Sequence, residues 1–94
     1  MSAIEARLAE LGISLPEPVA PVANYVPFVR TGNQVFLSGQ VSIGPDGLVA
    51  GTLGGDMDLE AGQAAARLCG INLIAQMKAA CEGDLERVKR VVRL

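Results

Sequence analysis

Between Gln34 and Ile43 apolar and polar positions alternate along the chain. Val35, Leu37, Gly39, Val41 and Ile43 fall on one side, and Gln34, Phe36, Ser38, Gln40 and Ser42 on the other. Side chains alternate sides along a strand, so the pattern predicts a strand with one buried and one mostly polar face. Thr31-Gly32-Asn33 tolerates positive φ and reverses the chain ahead of it, which predicts a hairpin over residues 24–43. Gly39 in mid-strand marks a bulge or a close approach to the backbone. Pro45-Asp46-Gly47 predicts a second turn, and Leu48 to Leu53 a short further strand.

The period then changes. From Leu59 to Glu82 the chain reads as one long helix, capped by Asp56 or Asp58 and closed by Gly83. At about 100° per residue, Glu60, Gln63, Arg67, Lys78 and Glu82 share a polar face. Leu59, Gly62, Ala66, Cys69, Leu73, Met77 and Ala80 form the face expected to be buried. Ile71 and Ile74 lie on the polar side, as exposed residues or as a subunit contact. A shorter helix over residues 2–12 is predicted by the capping-box form of Ser2-Ala3-Ile4-Glu5, by the stripe Ile4, Leu8, Leu11, and by Gly12 at its end. Pro16, Pro18 and Pro21 hold an extended linker over residues 13–22. After a turn at Asp84-Leu85-Glu86, residues 88–94 alternate as a strand. The chain stops inside that strand, which is expected to be the edge of a larger α+β domain of which this is the front part.

Bulk composition narrows the possibilities. A chain of 94 residues is one domain at most. Chains of this size bury only about 60–65% of their unfolded surface, so association would help the core. Half of the residues are hydrophobic, but Tyr25, Phe28 and Phe36 are the only aromatics, so the core is built from Val, Leu, Ile and Ala. A net charge of −2 and a pI near 4.9 argue against a nucleic-acid surface. The basic run Arg87, Lys89, Arg90, Arg93 is read as decoration of a strand. No leader-like or membrane-spanning stretch is expected, and a cytoplasmic, reducing setting fits best. On one helix Cys69 and Cys81 would lie about 18 Å apart, too far for a disulfide. With no histidine and no close cysteine pair a zinc site is not expected, a histidine-activated nucleophile cannot be assembled, and no metal or cofactor is expected.

Tyr25, the hairpin segment Val35-Phe36-Leu37-Ser38-Gly39-Gln40, the helix start Leu59-Glu60-Ala61-Gly62-Gln63-Ala64-Ala65-Ala66-Arg67-Leu68 and the segment Leu85 to Val92 together resemble the Rid superfamily. This is the reactive intermediate deaminase or YjgF family, long labelled endoribonuclease L-PSP. The resemblance covers nearly all of this chain and the first part of the family's domain. It implies a chorismate-mutase-like α+β fold of the bacillus type, a mixed sheet packed by helices, here seen in part. It also implies a homotrimer with a cleft at each subunit interface that binds small carboxylates or imino acids. The enzyme members hydrolyse enamines and imines to a 2-keto acid and ammonia.

Carried over residue by residue, Tyr25 lines the cleft at the first strand, and Ser38 and Gly39 present a backbone N–H to the ligand from the second. A donor so placed can hold a carboxylate oxygen or an oxyanion. Read without the resemblance, Tyr25 is equally a strand-edge aromatic, Ser38 bonds its neighbours and Gly39 accommodates a bulge. The family's carboxylate-clamping arginine and its water-orienting glutamate fall past Leu94. Arg30 and Arg67 do not match the arginine's position, so the 94-residue chain alone is expected to be inactive. A non-catalytic ligand-binding trimer and an RNA-cleaving protein are the alternative readings.

Overall fold

The computed structural model describes residues 3–20 and 23–94. In chain order these form helix α1 (Ala3–Glu10), strands β1 (Phe28–Thr31), β2 (Gln34–Leu37), β3 (Ile43–Gly44) and β4 (Gly47–Leu48), helix α2 (Leu59–Ala80) and a 3₁₀ turn (Leu85–Arg87). The architecture is α+β, but the strands stay as two separate antiparallel ribbons, β1–β2 and β3–β4, rather than one mixed sheet. Helix α2 packs on β1, β2 and β3, and α1 rests on the 3₁₀ turn.

The hairpin is shorter than the alternation predicts, and Pro27 is the reason. Thr31 pairs with Gln34 across Gly32-Asn33, and the register runs back to Phe28 opposite Leu37. The next rung joins Ser38 N–H to Pro27 C=O at 2.9 Å. Proline has no N–H to return the bond, so the ladder ends there. The Ser38 carbonyl takes the side-chain amide of Gln40 instead, at 3.4 Å. Residues 38–42 therefore leave the ladder, and the expected single strand from Gln34 to Ile43 is broken in two. Nor is either face of the hairpin buried: Val35 and Phe36 point to opposite sides and both are exposed. The second turn follows its sequence, with Gly44 opposite Gly47 across Pro45-Asp46 and Gly47 at φ +102°. In place of a strand over residues 48–53 there is only β4 and a single bridge between Leu53 and Met57.

Asp58, not Asp56, caps α2: its carboxylate accepts the Ala61 N–H at 2.8 Å. Asp56 takes the Thr52 N–H at 2.7 Å and closes the preceding loop. At the far end Gly83, at φ +91°, donates back to the Lys78 carbonyl at 2.8 Å. The face that α2 buries differs from the one expected. Of the expected face Ala80 is buried and Gly62, Cys69, Leu73 and Met77 are half-buried, but Leu59 and Ala66 are exposed, while Asn72, Ala75 and Gln76 are buried and Leu68 is half-buried. Two things set this rotation. Asn72 and Gln76 bond to backbone carbonyls below the helix. Gly44 also lets Leu68 sit so close that a Cβ there would be 3.1 Å from Leu68 Cδ2.

Ser2, the expected cap of α1, lies outside the described residues. Helix α1 ends at Glu10, and Gly12 at φ +72° turns the chain so that Ile13 N–H reaches the Leu8 carbonyl at 2.9 Å. Of the expected stripe, Leu8 is buried, Ile4 half-buried and Leu11 exposed. The helix is tied down by Glu5 to Lys78 at 3.0 Å and by Ile4 N–H to Glu86 Oε1 at 3.0 Å. Beneath it Leu85 is 2% exposed. Residues 88–94, expected as a strand, join no ladder, and Val91, Val92 and Leu94 are exposed. Alternation supplies a face, but a strand also needs a neighbour to pair with.

The surface is large for the mass. A folded monomer of 9.7 kDa exposes roughly 5,100 Å², whereas this chain exposes 6900 Å². Its radius of gyration is 14.3 Å, against about 12 Å for a compact domain of this length.

Candidate functional site

Tyr25, Ser38 and Gly39 do not lie on strands. Tyr25 sits in the bend before β1, its N–H on the Ala23 carbonyl at 2.9 Å, and Ser38 and Gly39 follow the end of β2. The break at Pro27 is what brings them together. Freed from the ladder, the chain at Gly39 turns beside Tyr25, and both line a recess with Val19, Ala20, Pro27, Gln40 and Val41. Ser38 does not line it. Its hydroxyl donates to the Val26 carbonyl and pins the bend that carries Tyr25 to the end of β2. Ser38 is thus a support of the wall.

The Gly39 N–H meets no acceptor among the described residues. Among the described residues nothing lies within 4 Å of where a Cβ would stand on Gly39, and its φ is not in the left-handed region. The glycine is therefore required neither by a left-handed backbone nor by a neighbour among the described residues. What it leaves is an uncovered backbone donor. Tyr25, 41% exposed, lines the same recess.

The recess has a volume of about 10 Å³. That is room for about one water molecule. A wall is present here, but not an enclosure for a small acid. The apolar residues Val19, Pro27 and Val41 back it, and no side chain that carries a charge lines it.

The two arginines within reach of sequence argument are placed elsewhere. Arg30 stands 3.7 Å from Glu82, and Arg67 is on the exposed side of α2. Cys69 and Cys81 are free and half-buried. The described residues contain no group of three or more histidine, cysteine, aspartate or glutamate side chains arranged to hold a metal ion. No helix among them is long and apolar enough to cross a membrane. In the Gly54-Gly55 loop ahead of α2 both glycine N–H groups already donate to backbone carbonyls, of Met57 and Thr52, and the carboxylates of Asp56 and Asp58 flank them on the Thr52 and Ala61 N–H groups.

Asn72 and Gln76 went unrecognised in the sequence. They hold the backbone behind the recess from α2. The signal was two amides one turn apart within the otherwise apolar run Leu68 to Met77.

A two-ribbon α+β chain with one long helix agrees with what comparison finds. Residues 5–94 match the family described as "YjgF/chorismate_mutase-like, putative endoribonuclease". The chain belongs to this family and has its chorismate-mutase-like fold. Protein TCP17 of Trypanosoma cruzi is 47% identical over 94 residues, spanning 97% of this chain and 57% of that protein. The crystal structure of Atu1372 from Agrobacterium tumefaciens, a protein of unknown function, superposes with a TM-score of 0.79 at 44% identity, covering 94% of this chain and 52% of that one. A structure described as a putative endoribonuclease from Shewanella oneidensis MR-1 superposes with a TM-score of 0.87 at 41% identity, covering 96% and 60%. The chain thus spans between 52% and 60% of the length of these relatives.

Proposed function

We propose that the protein hydrolyses small 2-imino and enamine acids to a 2-keto acid and ammonia, as part of a homotrimer. In this reaction water adds to the C=N carbon, and collapse of the adduct expels ammonia and leaves C=O. The observation that carries the reading is that Tyr25 and Gly39 line one recess and that the Gly39 N–H meets no acceptor among the described residues. The N–H is the donor for a substrate carboxylate oxygen, and Tyr25 is the ring against which the short carbon chain rests. The wall is open, and the chain's surface exceeds that of a compact domain, so a neighbouring subunit would close the site. The carboxylate clamp implied by the family is assigned neither to Arg30 nor to Arg67.

The test generates 2-iminobutanoate in situ with a pyridoxal-phosphate dehydratase and follows 2-oxobutanoate and ammonia above the spontaneous rate. Acceleration that Gly39→Val removes supports the reading. Binding of 2-oxobutanoate without acceleration makes the protein a carboxylate-binding module and rejects catalysis. The Shewanella relative, described as a putative endoribonuclease, favours a second reading, RNA cleavage. A labelled single-stranded RNA that is cut while the imine is untouched would establish it. The acidic composition and the lack of histidine weigh against it.

A further inference from the structure

Two buried amides stand behind the recess. Asn72 Nδ2 donates to the carbonyls of Val41 and Ile43, at 3.0 Å each, and Gln76 Nε2 donates to the carbonyl of Val19 at 3.0 Å. Val19 and Val41 stand on the recess with Tyr25 and Gly39. They come from segments with no strand to hold them: the linker after α1 and the stretch that left the ladder at Pro27. Backbone without a ladder is mobile unless something else takes its hydrogen bonds. Here one turn of α2 takes them, because residues four apart point the same way.

The Gln76 side chain shows what this arrangement is for. The residue is 1% exposed, yet its Oε1 has no donor among the described residues. A buried acceptor left unpaired costs stability, and an apolar side chain of the same shape would avoid that cost. Glutamine at this position is therefore explained by the carbonyl it holds and not by core packing.

We propose that Asn72 and Gln76 are positioning residues for the Tyr25–Gly39 recess, fixing Val41 and Val19 as its two walls. The role as a ligand wall rests on the reading given under Proposed function; the positioning itself does not.

The experiment compares the wild-type chain with Asn72→Leu and Gln76→Met, near in shape but unable to donate. It measures backbone ¹⁵N order parameters, far-UV circular dichroism and titration with 2-oxobutanoate. Positioning predicts that order at Val19, Gly39, Gln40 and Val41 falls from the rigid value of about 0.85 toward 0.6 or below, with the amides of α2 unchanged. It also predicts a roughly tenfold weaker 2-oxobutanoate affinity, the factor that one lost hydrogen bond of about 1.4 kcal/mol represents. Gln76→Met is predicted to melt no lower than wild type. Unchanged order at Val19 and Val41 in folded variants overturns the proposal. So does unfolding of both variants, since residues on which the whole fold depends are core residues and nothing more. If the wild type binds no 2-oxobutanoate, the functional reading fails, and the order parameters still decide the positioning.

Discussion

Gly39→Val separates a glycine kept for folding from one kept for a ligand. A β-branched side chain at this position meets nothing within 4 Å at its Cβ, and the backbone is not left-handed. The usual costs of replacing glycine, a clash or a strained φ, are both absent. Loss of backbone freedom in the unfolded chain favours the variant by about 0.4–1 kcal/mol, so stability should change by less than about 1 kcal/mol. Binding should respond differently. The added side chain sits on a residue that lines a recess of about 10 Å³. A hydrogen bond from that N–H to a carboxylate is worth roughly 1.5–3 kcal/mol, or about ten- to a hundred-fold in affinity. Thermal melts and 2-oxobutanoate titrations on the same samples measure both quantities. A folded variant that binds as tightly as wild type refutes the wall assignment. A variant that loses more than about 2 kcal/mol of stability shows that Gly39 answers to packing outside this chain.

Three further outcomes test the fold. Leu85→Ala removes a side chain that is 2% exposed beneath α1, so a loss of about 2–5 kcal/mol is expected from urea unfolding, enough to unfold a core this thin. Asp58→Ala deletes the cap on the Ala61 N–H and should lower stability by about 1 kcal/mol, whereas Asp58→Asn should recover most of it in the same melt. Gly70→Ala sits mid-helix with nothing within 4 Å of the new methyl; it should raise stability by about 0.5–1 kcal/mol, and a lower melting temperature would mean that another surface packs there.

What the sequence determined by itself is local. The turns at Gly32-Asn33 and Pro45-Asp46, the ends of α2 and the stop of α1 at Gly12 each depend on a few adjacent residues. Their φ preferences and caps act over one turn, so they could be read directly. Tyr25, Ser38 and Gly39 were named only through the motif that contains them; nothing in the alternation shows that Tyr25 and Gly39 share a recess or that Ser38 stays outside it.

Tertiary structure decided the rest. Alternation from Gln34 to Ile43 suggested one strand, yet a ladder needs a donor on both sides, and Pro27 withholds one ten residues earlier in the chain than Leu37. The run Leu68 to Met77 is apolar almost all round, so its period could not say which face is buried. The rotation was set by the carbonyls of Val19, Val41 and Ile43 waiting for Asn72 and Gln76. Residues 88–94 have strand-like alternation but no neighbouring strand. In the first two cases the deciding partner is a backbone group elsewhere in the chain, and in the third it is missing among the described residues; hydrogen bonds between separate segments form only when the fold brings those segments together.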